Sequence, residues 1–160
     1  MGPYEILKEG FETYGLSYND TIEQRFSAFT GELLRVNEVM NLTAITEPEE
    51  VMRKHYLDSV FPLTLPYIPE GAKVIDVGCG AGFPGLPMKL ARDDIQLTLL
   101  DALQKRIGFL QGCVELIGLQ GVECIHARAE EGAQKPQLRE QYDVAVSRAV
   151  ANLRTLTELC

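Results

Sequence analysis

Apolar residues in the first 70 positions recur at helical spacing. The longest such stripe has gaps of 3, 4, 3 and 4 residues, the pattern by which an amphipathic helix faces a core. Ile6, Leu7 and Phe11 predict a shorter helix before it. We therefore expect an N-terminal helical segment over residues 1–69 that packs on the rest of the chain. The residues of the long stripe are Phe26, Phe29, Leu33, Val36 and Met40.

Two candidate caps mark where helices begin in this segment. Asn19 or Asp20 can cap the long helix, because short polar side chains accept the first free backbone N–H groups. Thr46, with Glu49 three residues later, resembles a capping box. It predicts a third helix, with Pro48 in its first turn.

From residue 70 onward, short apolar runs alternate with helical stretches. Such a series folds into a parallel sheet with right-handed crossovers, so residues 70–160 predict an α/β, Rossmann-like domain. The spatial strand order expected for it is three, two, one, four. Predicted strands cover 73–77, 95–100, 122–126 and 142–146, and predicted helices cover 84–91 and 103–117.

Four glycines within eight residues follow the first predicted strand, at 78, 80, 82 and 85. Glycine lacks a Cβ and adopts positive φ, so a dense cluster indicates that a ligand approaches the backbone closely. A strand, a Gly-rich turn and a helix N-terminus together are typical of a nucleotide-binding cradle.

The spacing of the glycines is compatible with binding sites for two different cofactors. Gly78-x-Gly80-x-Gly82 after Asp76 fits S-adenosylmethionine-dependent methyltransferases, whereas Gly80-x-Gly82-x-x-Gly85, with Asp101 further on, fits a dinucleotide site. We favour S-adenosylmethionine, because an acid at the end of the strand would face the cofactor. It would repel a diphosphate but attract a sulfonium and an ammonium. An NAD(P)-dependent oxidoreductase is the alternative.

Ligands of an open parallel sheet lie beyond the carboxyl ends of its strands. Asp101 follows strand two, where it either accepts hydrogen bonds from ribose hydroxyls or caps helix 103–117. Strand three is followed by Ala129 and Glu130, which could contact an adenine edge, and strand four by Ser147 and Arg148. Asp76, Gly78, Gly80, Gly82 and Phe83 are the candidates after strand one.

The formal net charge of −8, from 23 acidic and 15 basic residues, argues against a general nucleic-acid binder. Any RNA contact must be local, and Lys105 and Arg128 are two candidates. The chain contains no apolar run as long as a membrane span, so we expect a cytoplasmic protein without membrane contact. Its four cysteines show no metal-like clustering with histidine, and no metal site is predicted.

Six ordered blocks of sequence resemble the RsmG family, also called GidB. Members of this family are bacterial methyltransferases that methylate guanine N7 in small-subunit (16S) ribosomal RNA. The blocks run from about residue 20 to the end. They are Asn41-Leu-Thr-Ala-Ile-Thr, His55-Tyr-Leu-Asp-Ser, Val77-Gly-Cys-Gly-Ala-Gly-Phe-Pro-Gly, Asp101-Ala-Leu-Gln-Lys-Arg-Ile-Gly-Phe-Leu, Ala127-Arg-Ala-Glu-Glu and Ser147-Arg-Ala-Val-Ala.

This resemblance implies a class I S-adenosylmethionine-dependent methyltransferase that acts on ribosomal RNA or on the small ribosomal subunit. It also implies that Lys105 and Arg128 lie near the active site as RNA contacts. The resemblance assigns S-adenosylmethionine binding to Gly78, Phe83, Ala129, Glu130 and Arg148.

His55 and Asp58 lie three residues apart on one predicted helix face. They either position a guanine over the cofactor, together with Arg148, or tie the helical segment to the sheet. Guanine N7 has a free lone pair and loses no proton, so its methylation requires alignment and no general base. A site without an obvious base is therefore expected.

The predicted sheet is incomplete at its C-terminus, because this class of methyltransferase has further strands. We expect the chain to bind S-adenosylmethionine, to self-associate through the exposed edge of strand four, and to turn over little RNA. A cofactor-binding fragment without turnover is accordingly a third hypothesis.

Overall fold

A computed structural model describes residues 1–148 of the chain. The sequence also predicts a helix over 152–159, after the fourth strand, and it lies outside this range. The helices are α1 (Pro3–Tyr14), α2 (Asp20–Met40), α3 (Pro48–Glu50), α4 (Asp58–Val60), α5 (Gly85–Ala91), α6 (Gln104–Ile117) and α7 (Ala129–Gln134). The strands are β1 (Lys73–Val77), β2 (Gln96–Asp101), β3 (Val122–His126) and β4 (Val144–Val146).

The four strands form one parallel sheet in the order β3-β2-β1-β4, which confirms the predicted order. The fourth strand is shorter than the expected 142–146. Just before it, the Asp143 backbone N–H donates to the Lys73 carbonyl at 2.8 Å, and Asp143 Oδ2 accepts the Lys73 N–H at 2.9 Å. A side chain thus takes the Lys73 N–H, and the regular pairing of β4 with β1 begins at Val144. Within residues 1–148, β4 is an outer strand, and its pairing with a second chain stays a prediction.

The N-terminal helices share one hydrophobic core with a face of the sheet. Phe26, Phe29 and Leu33 of the predicted stripe are fully buried, and α2 packs against α5 and α6. Val36 and Met40 lie at the margin of this core. The stripe prediction is therefore confirmed. The opposite face of the sheet carries a smaller cluster of Ile75, Val77, Leu100 and Ala127.

One predicted cap is confirmed and one is wrong. Asn19 caps α2, since its Oδ1 accepts the Ile22 N–H at 2.9 Å. The capping box at Thr46 does not form, because the third helix begins at Pro48 with Glu47 as its N-cap and without a side-chain cap bond. Proline at the first helical position has no N–H to be capped.

The helical segment 48–64 contains a π-helical stretch, Val51–Leu57, between α3 and α4, and ends in a 3₁₀ turn, Phe61–Thr64. Val51, Met52 and Tyr56 are buried in the main core. π-Helical turns are uncommon and occur frequently at functional sites. The sequence carried no signal for this one.

Among the described residues, no helix is both long and apolar enough to span a membrane. The same part of the chain holds no group of three or more His, Cys, Asp or Glu side chains arranged to bind a metal ion.

Candidate active site at the carboxyl ends of the strands

The glycine loop joins β1 to α5 and is held against the end of β2. Gly78 and Cys79 both donate their backbone N–H to the Leu100 carbonyl, at 2.9 and 3.0 Å. Gly78, Gly80 and Gly82 all have positive φ, at 67°, 56° and 102°. A Cβ at Gly80 would meet nothing within 4 Å. The loop therefore leaves open space beside Gly80, as a close-approaching ligand requires.

Asp76 lies beneath this loop and does not face its open side. Its side chain is completely buried, and its Oδ2 accepts the N–H of Gly85, at the start of α5, at 2.7 Å. Burial raises the pKa of Asp76 well above its usual range. The structure thus differs from the expected cofactor contact, because strand alternation turns Asp76 toward α5. Its Oδ1 has no hydrogen-bond partner among the described residues.

Asp101 ends β2 and links two loops. Its Oδ2 accepts the Gly80 N–H at 2.8 Å, and its Oδ1 accepts the Leu103 N–H at 2.9 Å. Helix α6 begins at Gln104, with Leu103 as its N-cap residue, so Asp101 supports the turn before α6 without being its N-cap residue. A carboxylate has about four lone-pair sites. These two hydrogen bonds leave about two sites unused, and the guanidinium of Arg106 lies 3.6 Å from Oδ1.

Phe83 is the centre where the predicted catalytic residues meet. The His55 ring stacks on it, with centroids 4.3 Å apart and planes 8° apart. The Arg148 guanidinium lies 5.7 Å from the centroid of the same ring, within reach of a cation–π contact. Arg148 also lies 3.5 Å from Asp58 Oδ2 and 3.4 Å from Ser59 Oγ. The structure therefore brings His55, Asp58 and Arg148 together around one aromatic ring.

The environment of His55 keeps its imidazole neutral. Its Nε2 lies 2.7 Å from Thr43 Oγ1, while its Nδ1 is buried without a partner among the described residues. Burial, reinforced by the positive charge of Arg148 and partly opposed by Asp58, lowers the pKa of His55 to about 4. The hydrogen-bond partner of His55 is thus a hydroxyl in the loop after α2.

This lowered pKa predicts a pH dependence of stability. The folded state disfavours the charged imidazole, so the contribution of His55 is complete above its ordinary pKa of about 6.5 and is lost as pH falls toward 4. We expect His55→Asn to flatten the decline in unfolding free energy between these values, measured by urea denaturation. His126→Asn, at an exposed histidine ending β3, is the control. An unchanged slope in His55→Asn would contradict the assignment.

The remaining candidates lie on the loops after β2 and β3. Ala129 and Glu130 form the first turn of α7, and Arg128 is its exposed N-cap residue. Lys105 is exposed in the first turn of α6. Because parallel strands end at the same edge, these residues share that edge with the glycine loop. Thr43 and Ser59, which contact His55 and Arg148, were missed as site residues although both lie inside the quoted sequence blocks.

The arrangement fits S-adenosylmethionine by three observations. The loop is open at Gly80, a buried acid follows β2, and an aromatic ring with a cation stands beside the loop. The glycine pattern and Asp101 would also suit a dinucleotide. However, the N–H of Gly85, which a diphosphate would need at the start of α5, is taken by Asp76.

Comparison with known proteins defines the class and then the family. The structure resembles a protein-L-isoaspartate O-methyltransferase with a TM-score of 0.51 and 16% sequence identity, over 91% of this chain and 47% of that one. This likeness and the parallel sheet show a Rossmann-like, class I methyltransferase fold. A family model described as GidB, rRNA small subunit methyltransferase G, matches residues 22–160. The chain belongs to this family of methyltransferases, and its cofactor is S-adenosylmethionine.

Relatives with the name ribosomal RNA small subunit methyltransferase G support the same assignment. The protein of Clostridium perfringens (strain 13) is 45% identical over 160 residues, which are 100% of this chain and 67% of the relative. That of Alkaliphilus metalliredigens is 49% identical over 155 residues, which are 97% of this chain and 65% of the relative. The chain thus spans about two thirds of the length of these relatives.

Proposed function

We propose that this protein transfers the methyl group of S-adenosylmethionine to guanine N7 in small-subunit (16S) ribosomal RNA. The observation that carries the proposal is the cluster around Phe83, where His55, Asp58 and Arg148 meet beside the open glycine loop. The family of the chain supplies the class of substrate.

The chemistry of the cluster suits an acceptor that needs no base. S-Adenosylmethionine supplies a methyl group on a positively charged sulfur, which the lone pair of guanine N7 can attack without releasing a proton. His55 is half-buried beside a cation, and its lowered pKa of about 4 keeps it neutral near pH 7. It serves to position the base and does not have to remove a proton. Orientation of this kind is a large source of rate enhancement.

Cofactor contacts are assigned to the groups that line the loop. Gly78, Gly80 and Gly82 let the ligand approach the backbone, Asp101 accepts ribose hydroxyls, and Phe83 contributes an apolar wall. Ala129 and Glu130 are proposed to contact the adenine from the first turn of α7. Asp76 acts through Gly85, whose N–H it accepts, and so holds α5 in place beneath the cofactor.

The RNA partner is proposed to be recognised as part of a small ribosomal subunit. A chain with a net charge of −8 is expected to bind RNA phosphates only weakly without sequence or shape recognition. The exposed Lys105 and Arg128 lie at the same sheet edge as the site and supply local contacts. We expect assembled or partly assembled subunits to be methylated in preference to naked RNA.

Replacement of Arg148 tests the proposal. Arg148→Ala removes the cation beside Phe83 and the partner of Asp58, so methyl transfer to small ribosomal subunits should fall by about 10- to 100-fold, equivalent to about 1.4–2.7 kcal/mol. The measurement is incorporation of labelled methyl groups. Arg139→Ala removes an exposed arginine outside the cluster and should leave the rate unchanged. Equal rates for the two variants would count against the proposed site.

A further inference from the structure

Thr43, in the sequence block that begins at Asn41, contacts the site through His55, and its role there is not yet assigned. Thr43 Oγ1 lies 2.7 Å from His55 Nε2. Two further hydrogen bonds fix the position of Thr43 in the loop. Its backbone N–H donates to Asn37 Oδ1 at 2.8 Å, and its Oγ1 accepts the Ile45 N–H at 3.0 Å. Thr43 is therefore a fixed contact between the end of α2 and the imidazole.

The hydrogen bonds at Thr43 favour one tautomer of His55, because the single hydroxyl hydrogen needs an acceptor although the oxygen could accept from two donors. The hydroxyl has one hydrogen to donate, and its oxygen already accepts from Ile45. Within residues 1–148, His55 Nε2 is the acceptor that lies in hydrogen-bond contact with this hydroxyl. If Thr43 donates to it, Nε2 carries no proton, and the single proton of a neutral imidazole is on Nδ1. Nδ1 is buried without a partner among the same residues.

We propose that Thr43 is a positioning residue that holds His55 as the Nδ1–H tautomer, parallel to Phe83, so that Nδ1 can donate to O6 of the acceptor guanine. This inference rests on the proposed function. The edge of guanine that carries N7 presents two acceptors, N7 and O6. The N7 lone pair must stay free for methyl transfer, so O6 is the group left to hold the base, and a donor is needed.

The other tautomer would turn a lone pair toward O6, which repels it. A buried donor without a partner is costly, and a guanine that displaced the atoms covering Nδ1 would supply the missing acceptor. This gives the unpartnered Nδ1 a role that a purely structural histidine does not explain. Thr43 never touches the substrate in this account and acts through the imidazole.

The tautomer is measured directly by ¹⁵N NMR of the histidine ring at neutral pH. In the wild-type chain we expect His55 Nδ1 to give the signal of a protonated nitrogen and Nε2 that of a bare one. Thr43→Val, which keeps the shape but removes the hydroxyl, should move the two signals toward each other. Thr43→Ser should restore the wild-type spectrum. A protonated Nε2 in the wild-type chain would overturn the assignment.

Turnover tests the positioning role. Thr43→Val should lower the rate of methyl transfer to small ribosomal subunits by roughly tenfold, while the dissociation constant of S-adenosylhomocysteine stays within about twofold. Thr46→Val makes the same change at an exposed position of the same loop and should have no effect. In a His55→Ala background, Thr43→Val should add nothing, because residues that act through one another are not additive.

The outcomes separate the inference from the proposed function. If the wild-type chain methylates small ribosomal subunits and Thr43→Val is equally fast, the inference is wrong and the proposed function stands. If the wild-type chain transfers no methyl group but binds S-adenosylhomocysteine, the proposed function fails for this chain and the hypothesis of a cofactor-binding fragment without turnover holds. The NMR spectra then still decide whether Thr43 sets the tautomer.

Discussion

Replacing Gly85 with alanine is expected to destabilise the folded chain by about 2–4 kcal/mol. A Cβ at this position would lie 2.8 Å from Asp76 Oδ2, 2.9 Å from Asp76 Cβ and 3.0 Å from Leu97 Cδ1. The clash falls on a buried side chain that cannot move into solvent. Overpacking of this kind costs about 1–3 kcal/mol, and disturbing the buried Gly85–Asp76 hydrogen bond adds to it.

Gly112 in α6 is the matched control for Gly85. Both glycines lie in helices, but a Cβ at Gly112 would meet nothing within 4 Å. Gly112→Ala should therefore stabilise the chain by about 0.5–1 kcal/mol, the difference in helix propensity. Urea denaturation of the two variants measures both effects. If Gly85→Ala were as stable as the wild type, the close packing of α5 against β1 at this glycine would be contradicted.

Replacing Asp101 with alanine is expected to weaken S-adenosylmethionine binding by about 1–3 kcal/mol. The buried carboxylate orients the loop through Gly80 and is proposed to accept the ribose hydroxyls. Its loss removes charged acceptors from the ligand and leaves the Gly80 N–H without its partner. Calorimetric titration with S-adenosylhomocysteine gives the change in affinity.

Asp94 offers a control of the same chemistry at the other end of the sheet. Its Oδ2 accepts the Gly71 N–H at 2.9 Å, just before β1 begins. Asp94→Ala should lower stability but leave the affinity for S-adenosylhomocysteine unchanged. Equal dissociation constants for Asp101→Ala and the wild type would refute the ribose role.

The parts of the fold that the sequence predicted are those set by local pattern. The buried stripe of α2 and strands β1 to β3 follow from periodicity, which each segment carries alone. The resemblance placed Asp58 and Arg148 in ordered blocks, which named them as candidates. Their ion pair joins residues 90 positions apart, so no local pattern could show that contact.

Other features depend on tertiary packing and were not predictable in the same way. The π-helical stretch is one, since neither propensity nor spacing distinguishes it from an α-helix. Asp76 is another, because the choice between facing the loop and facing α5 depends on which side of β1 is covered. A closer reading of alternation, with Val74 and Asp76 on one face, would have pointed to the buried side. The contact of Thr43 with His55 depends on the path of the loop after α2.

Identification of the methylated nucleoside tests the central claim most directly. Small ribosomal subunits are incubated with this protein and S-adenosylmethionine, and the RNA is digested and resolved by mass spectrometry. We predict one new methylated nucleoside, 7-methylguanosine, which is lost with Arg148→Ala and retained with Arg139→Ala. Methylation of a different base, or of guanine at another atom, would contradict the account.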